Sequence, residues 1–190
     1  MLRTGSALAT VALVVTACSS PFSASESSGG FVSGDGSITV LAPEEREPLA
    51  KMSGETLDGE QLSTEQFDGQ VLVLNVWNSE CAPCRTEAPA LDQVSTELAE
   101  RGVQFLGIAI RDRLTAAKRF QDEQGVTYPS LFDPDSSTLL QMPSALYPVA
   151  IPTTYVVDAQ GRVAVRILDA TTASTLQGLV EDVLIEQESA

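Results

Sequence analysis

The sequence predicts an α/β fold with a central mixed β-sheet flanked by helices, and three observations predict it. An almost wholly apolar, β-branched-rich run, Val71–Val76, has the composition of a strand covered on both faces, and the segment after Cys81 repeats apolar residues at helical spacing. A second such pair follows, with the apolar run Val103–Ile110 ahead of Leu114, Ala117 and Phe120. Two further strand-like runs, Thr153–Val157 and Val163–Ile167, are separated only by Asp158-Ala-Gln-Gly161, which suggests an antiparallel hairpin.

The N-terminus reads as an address before it reads as structure. Residues 1–17 carry Arg3, an apolar stretch from Ala7 to Val15, and the ending Val15-Thr16-Ala17-Cys18, the pattern of an export signal. A small residue followed by Cys after a short apolar region resembles the bacterial lipobox, which implies that Cys18 receives a lipid and becomes the mature N-terminus. The alternative is a conventional signal cleaved nearby with a chance cysteine. The apolar run is well short of the about 20 residues that span a bilayer. Ser, Gly and Pro dominate after Cys18, so residues 18–45 are expected to be a tether with an end-to-end distance of roughly 30 Å. Residues 46–190 are then one domain with one core.

Within that domain each element has a local reason. Thr56-Leu-Asp-Gly-Glu-Gln-Leu-Ser63 predicts a short hairpin turning at Asp58-Gly59, followed by a brief helix that Ser63 can cap. Ala88, Leu91, Val94 and Leu98 form one apolar stripe of a helix beginning near Cys81, and the helix through Phe120 ends near Gly125. Tyr128–Phe132 predicts a short strand before the Asp133-Pro-Asp-Ser turn, and Ser137–Met142 a short helix. Leu176, Leu179, Val180, Val183 and Leu184 line one face of a terminal helix, a core-packing pattern.

The residues that carry chemistry are Cys81-Ala82-Pro83-Cys84. Two cysteines at this spacing serve half of a structural zinc site, a structural disulfide, or thiol–disulfide exchange. Zinc needs two more Cys or His ligands, and the chain has three Cys in all and no His. A disulfide across two residues closes a very short loop and removes little entropy from the unfolded chain, so stability is a poor reason for it. Exchange chemistry fits the setting. Cys81 falls at a strand-to-helix junction, where unpaired N–H groups and the helix dipole favour a thiolate, with Cys84 one turn further in as the shielded partner.

The segment Asn75-Val-Trp-Asn-Ser-Glu-Cys-Ala-Pro-Cys-Arg-Thr-Glu-Ala-Pro89 resembles the active-site segment of TlpA/ResA-type thioredoxin-like proteins. The shared features are Trp77, Pro83, Arg85, Glu87 and Pro89 around the two cysteines. A second segment, Ile151-Pro-Thr-Thr-Tyr-Val-Val-Asp158, resembles the family loop whose proline is cis and borders the cysteine pair. The resemblance implies a thioredoxin-like fold, a redox-active Cys81–Cys84 disulfide with no other cofactor and no metal, and a substrate groove formed by Trp77, Pro83, Ile151 and Pro152. Asn75 stands where ordinary thioredoxins carry a buried Asp that handles the proton of the second cysteine. The family pattern implies that Glu87 helps in its place. The competing reading is that Glu87 merely complements the positive end of its helix. Glu80, before Cys81, reads as a solvated charge or as a residue shaping substrate choice.

Charge limits the partners. The chain is at −15, and removal of residues 1–17 takes only Arg3 with it, so nucleic acid is excluded and attachment to anionic lipid falls to the Cys18 lipid. The expected enzyme is a thiol-disulfide oxidoreductase on the extracytoplasmic face of the bacterial cell membrane. The resemblance implies an exported disulfide-containing client such as apocytochrome c, and recharging by a membrane thiol transporter of the CcdA/DsbD type. The same chemistry run in reverse gives a disulfide oxidase or isomerase for secreted proteins. From other classes, a tethered Cu(I) chaperone could use two thiolates, although related copper carriers space their cysteines by three residues and add a His. A peroxidase of the peroxiredoxin kind would use a Thr-x-x-Cys site that the chain lacks.

Overall fold

The structure is a computed structural model that describes Met1, Ser33 and residues 37–189. The expectations for Cys18, for the 1–17 signal and for most of the tether fall outside the described residues. In chain order the strands are Ile38–Val40 (β1), Ser53–Glu55 (β2), Gln61–Ser63 (β3), Val71–Trp77 (β4), Val103–Ile110 (β5), Ser130–Asp133 (β6), Thr153–Val157 (β7) and Val163–Leu168 (β8). The α-helices are Ala82–Leu98 (α1), Leu114–Gln124 (α2) and Ala173–Glu188 (α3).

Six strands form one mixed sheet in the order β1-β8-β7-β4-β5-β6. β4, buried at all seven residues, lies near its middle. It runs parallel to β5, and β5 to β6, with α1 and α2 as the crossovers that parallel neighbours require. On the other side β7 is antiparallel to β4, β8 to β7 and β1 to β8.

Strand alternation then divides the core. Val71 and Val73 meet Leu91, Val94 and Leu98 of α1 and Leu176, Val180 and Val183 of α3. Trp77 and Ala109, on the same face, meet Ala117 and Phe120 of α2. Leu72, Leu74 and Val76 point the opposite way, where Met52, Leu139, Met142 and Leu146 cover them. Among the described residues all three α-helices thus lie against one face, and loops and a short turn close the other.

Several boundaries move. The tether was expected to run to residue 45, but Ile38–Val40 pairs with Val165–Ile167 and Leu41 N–H donates to the Ala164 carbonyl at 2.8 Å. The β-branched triplet Ile38-Thr-Val40 is long enough to add one edge strand, a signal hidden by the Ser and Gly around it. Arg46 then locks this arm to the body, its Nη1 3.3 Å from Asp158 Oδ2 in a buried ion pair. The hairpin turns at Gly59, with φ at +87°, but its strands are β2 and β3, and Thr56, just past β2, forms an isolated antiparallel bridge with Leu131. The strand expected over Tyr128–Phe132 is Ser130–Asp133, and the Ser137–Met142 helix is a single 3-10 turn at Leu139–Gln141. Asp133 explains that turn, because its carboxylate accepts from Ser137 Oγ and from the N–H groups of Thr138 and Leu139.

One close approach fixes the end of the sheet where Trp77 lies. Gly107 of β5 faces Ser130, and a Cβ there would lie 2.2 Å from Ser130 Oγ and 2.7 Å from Trp77 Nε1. Gly107→Ala is therefore expected to destabilise by about 1–3 kcal/mol through overpacking and to displace the indole. Urea denaturation followed by Trp77 emission checks both effects, and an unchanged midpoint would refute the contact.

Candidate active site

The cysteine pair is held by the loop that follows β4. Asn78 Nδ2 donates to the carbonyls of Ile110 and Arg111 at 3.0 and 2.9 Å, tying the loop to the end of β5. Ser79 N and Oγ donate to Asp112 at 2.6 and 2.9 Å. The Asn78 carbonyl accepts from Cys81 N at 3.1 Å, which sets Cys81 in extended backbone as the N-cap of α1. Pro83 follows in the first turn, where a missing N–H costs nothing.

Cys81 and Cys84 are joined by a disulfide, with S–S 2.04 Å. The two sulfurs have different surroundings. Cys81 is half-buried and its Sγ accepts from Cys84 N at 3.1 Å, whereas Cys84 is only 2% exposed. Trp77 stacks on Phe120 with ring centroids 4.6 Å apart, and both rings line a crevice that reaches Cys84. Arg85 lies 5.2 Å over the other ring of that stack, Phe120, and its Nη2 donates to the Ser79 carbonyl at 3.0 Å. Ile151, half-buried, packs against the same cluster as Cys81. The Ile151–Pro152 bond is cis, and the Pro152 carbonyl accepts from Asp169 N at 3.1 Å.

Beneath the pair lies Glu87, 1% exposed, on the same helix face as Cys84. Its Oε1 accepts from Asn75 Nδ2 at 2.8 Å and its Oε2 from Thr171 N at 3.3 Å. Asn75 Nδ2 also donates to Thr154 Oγ1 at 2.9 Å. Burial pushes the Glu87 carboxyl up to about 7; the bonds from Asn75 and Thr171 oppose that rise, and the nearby Asp169 charge adds to it. Glu87 is the sixth residue of α1 and faces the core, so it lies beyond the first turn where a helix dipole is felt most.

The structure therefore brings Trp77, Cys81, Pro83, Cys84, Glu87, Ile151 and Pro152 to one end of the sheet. Sequence reasoning placed Phe120 only on a helix stripe and did not single out Asp112, Thr154 or Thr171. Their roles depend on contacts 33 to 84 residues away in the chain. Among the described residues no three His, Cys, Asp or Glu side chains converge as a metal site.

The family model described as the AhpC/TSA family matches residues 46–166. Thiol-disulfide oxidoreductase ResA of Oceanobacillus iheyensis is 25% identical over 138 residues, covering 72% of this chain and 69% of the relative. Thiol:disulfide interchange protein HelX of Rhodobacter capsulatus is 32% identical over 118 residues, 62% of each chain. Among solved structures, a DsbF homologue from Corynebacterium diphtheriae superposes with a TM-score of 0.71 at 32% identity, covering 81% of this chain and 99% of that one. A secreted thiol-disulfide isomerase from Corynebacterium glutamicum gives 0.71 at 32% identity, covering 82% and 96%. The fold is thioredoxin-like.

Two outcomes follow from this geometry. A carboxyl raised by burial holds a proton that the unfolded chain releases, so its contribution to stability is full below about pH 4.5 and is lost as the pH rises to about 7. Relative to Glu87→Gln, the native protein is expected to lose up to about 3 kcal/mol between those limits. Melting temperatures of the two proteins across that range test this; parallel curves would contradict it. Reduction of the disulfide is expected to change the emission of Trp77, the single Trp, and an unchanged spectrum would place the indole away from the exchange site.

Proposed function

Because the chain belongs to the AhpC/TSA family, as a TlpA/ResA-like thiol-disulfide oxidoreductase, we propose that it reduces disulfides in exported proteins such as apocytochrome c while tethered to the cell membrane. The observation that carries this reading is the asymmetric pair, an accessible Cys81 at a helix N-terminus and a buried Cys84 above a buried carboxyl. In the reduced enzyme the Cys81 thiolate attacks one sulfur of the client disulfide, a mixed disulfide forms, and the client's first thiolate leaves. Cys84 loses its proton to Glu87 and attacks Cys81 Sγ. The Cys81–Cys84 bond forms, the second client thiolate is released and takes up a proton, and two electrons have passed to the client.

A carboxyl near pH 7 is matched to that proton transfer, since a base works best with a pKa close to the operating pH. Trp77, Pro83, Ile151 and Pro152 would form the groove that seats the client beside Cys81. Lipidation of Cys18 and the following linker would hold the domain at the extracytoplasmic face of the membrane, and a membrane thiol transporter of the CcdA/DsbD type would return electrons to the pair. No helix among the described residues is long and apolar enough to cross a membrane.

A second reading, disulfide oxidase or isomerase for secreted proteins, is favoured by the two Corynebacterium structures, described as a DsbF homologue and a secreted isomerase. The reduction potential separates the two. A value near or below about −250 mV supports the reductase and one near about −120 mV the oxidase. In either direction Cys84→Ser is expected to accumulate the mixed disulfide on Cys81, visible as a mass adduct, and Cys81→Ser to form none. Glu87→Gln is expected to slow resolution of the mixed disulfide by up to about 10²-fold near pH 7 and to flatten its pH dependence. An unaltered pH profile would reduce Glu87 to a structural residue.

A further inference from the structure

Acidic residues outnumber basic ones by 26 to 11, so most cations should find a carboxylate. Among the described residues Arg46, Lys51, Arg101, Lys118, Arg119 and Arg162 do. Arg85, Arg111, Arg113 and Arg166 form no ion pair with a described residue, and three of these four lie on or next to the loop that carries Cys81. Arg166 lies apart on β8 and donates to the Ala145 carbonyl.

Arg85 reaches Ser79, two residues before Cys81, with its side chain, and Arg111 and Arg113 stand beside the same loop on either side of Asp112. Arg85 Nη2 donates to the Ser79 carbonyl, and Arg111 and Arg113 flank the Asp112 that accepts both the N–H and the hydroxyl of Ser79. Arg111 also lends its carbonyl to Asn78 Nδ2, and its backbone stands at a φ of +48°. All three side chains are exposed. Two acids share this rim. Asp112 is turned inward, its oxygens bonded to Ser79 and to Arg113 N, while Glu80 is exposed.

We infer that Arg85, Arg111 and Arg113 form a basic docking rim beside Cys81 that selects disulfide-bearing clients with acidic residues next to the reacting cysteine. This rests on the exchange chemistry proposed for Cys81. The rest of the protein surface opposes such a client, and ionic strength decides which field is felt. Near physiological salt the Debye length is about 8 Å, so a client docked at Cys81 senses the rim and little of the acidic body. At about 0.01 M the length grows to about 30 Å and the body's negative field reaches the client as well. An acidic client is therefore favoured most at intermediate salt.

The test uses the full chain, reduced, with two disulfide-bridged peptides that differ only in carrying Asp and Glu or Lys and Arg around the cysteines. Hydroxyethyl disulfide, which is neutral, serves as the control. At about 0.15 M salt the acidic peptide is expected to exchange about 10-fold faster than the basic one, a preference that shrinks at about 0.01 M and again at about 1 M. Arg111→Gln with Arg113→Gln is expected to bring the ratio near one while leaving exchange with hydroxyethyl disulfide unchanged. Equal rates in the native chain, a preference for the basic peptide, or a preference that survives in the double variant would each overturn the rim. Failure of the native chain to exchange with hydroxyethyl disulfide would instead overturn the redox reading beneath it.

Discussion

A carboxyl group buried under a helix must be answered by hydrogen bonds, and the catalytic end of this molecule is arranged around one, Glu87. Its partners come from two distant parts of the chain, Asn75 in the central strand and Thr171 in the loop before the terminal helix. A third element is recruited through Asn75, whose amide also reaches Thr154 across the β4–β7 register. With Glu87 as acceptor, position 75 has to donate. An Asp there would set two carboxyls against each other in a site that already penalises one charge. Asn75, an amide that donates at 2.8 Å, is thus the residue that suits position 75 once Glu87 is buried beside it.

The two cysteines divide their work by environment. Cys81 stands at the open end of α1, where an anion is met by backbone N–H groups; Cys84 is one turn inside, against Trp77, Ala88 and Phe120. Desolvation resists ionisation of Cys84, so an internal base matters for that sulfur and much less for Cys81. Trp77 could not occupy its place if β5 carried any side chain at Gly107. A glycine in a buried strand, ordinarily a weakness, is here the space that the indole fills.

The strands β4, β5, β7 and β8 and the helices α1, α2 and α3 were legible because each carries a strong local period. What escaped the sequence was either short or distant. Ile38–Val40 is a three-residue strand whose neighbour lies more than a hundred residues on, and its polar surroundings look like linker. The Leu139–Leu146 cover has no period at all, and owes its turn to one buried carboxylate, Asp133. At the site, Cys81 and Cys84 came from their spacing at a strand-to-helix junction, and the cis Ile151–Pro152 bond and a role for Glu87 came from motif resemblance. Nothing local pointed to Thr171 or Asp112. Each contributes through a pairing set by sheet order, which single-sequence periodicity does not specify.

The acidity of the chain bears on the thiolate as well as on partners. A net charge of −15 raises the work of forming another anion anywhere on the protein. Screening limits that penalty, because exposed charges farther than about 8 Å away count for little at physiological salt. What Cys81 senses is then its own neighbourhood. The Cys84 N–H lies 3.1 Å from its sulfur, Arg85 is anchored to Ser79 and Phe120, and Glu80 is the one exposed acid adjacent in sequence. A short-range field of favourable sign set inside a long-range field of the opposite sign lets one chain remain strongly acidic and still present a nucleophilic sulfur.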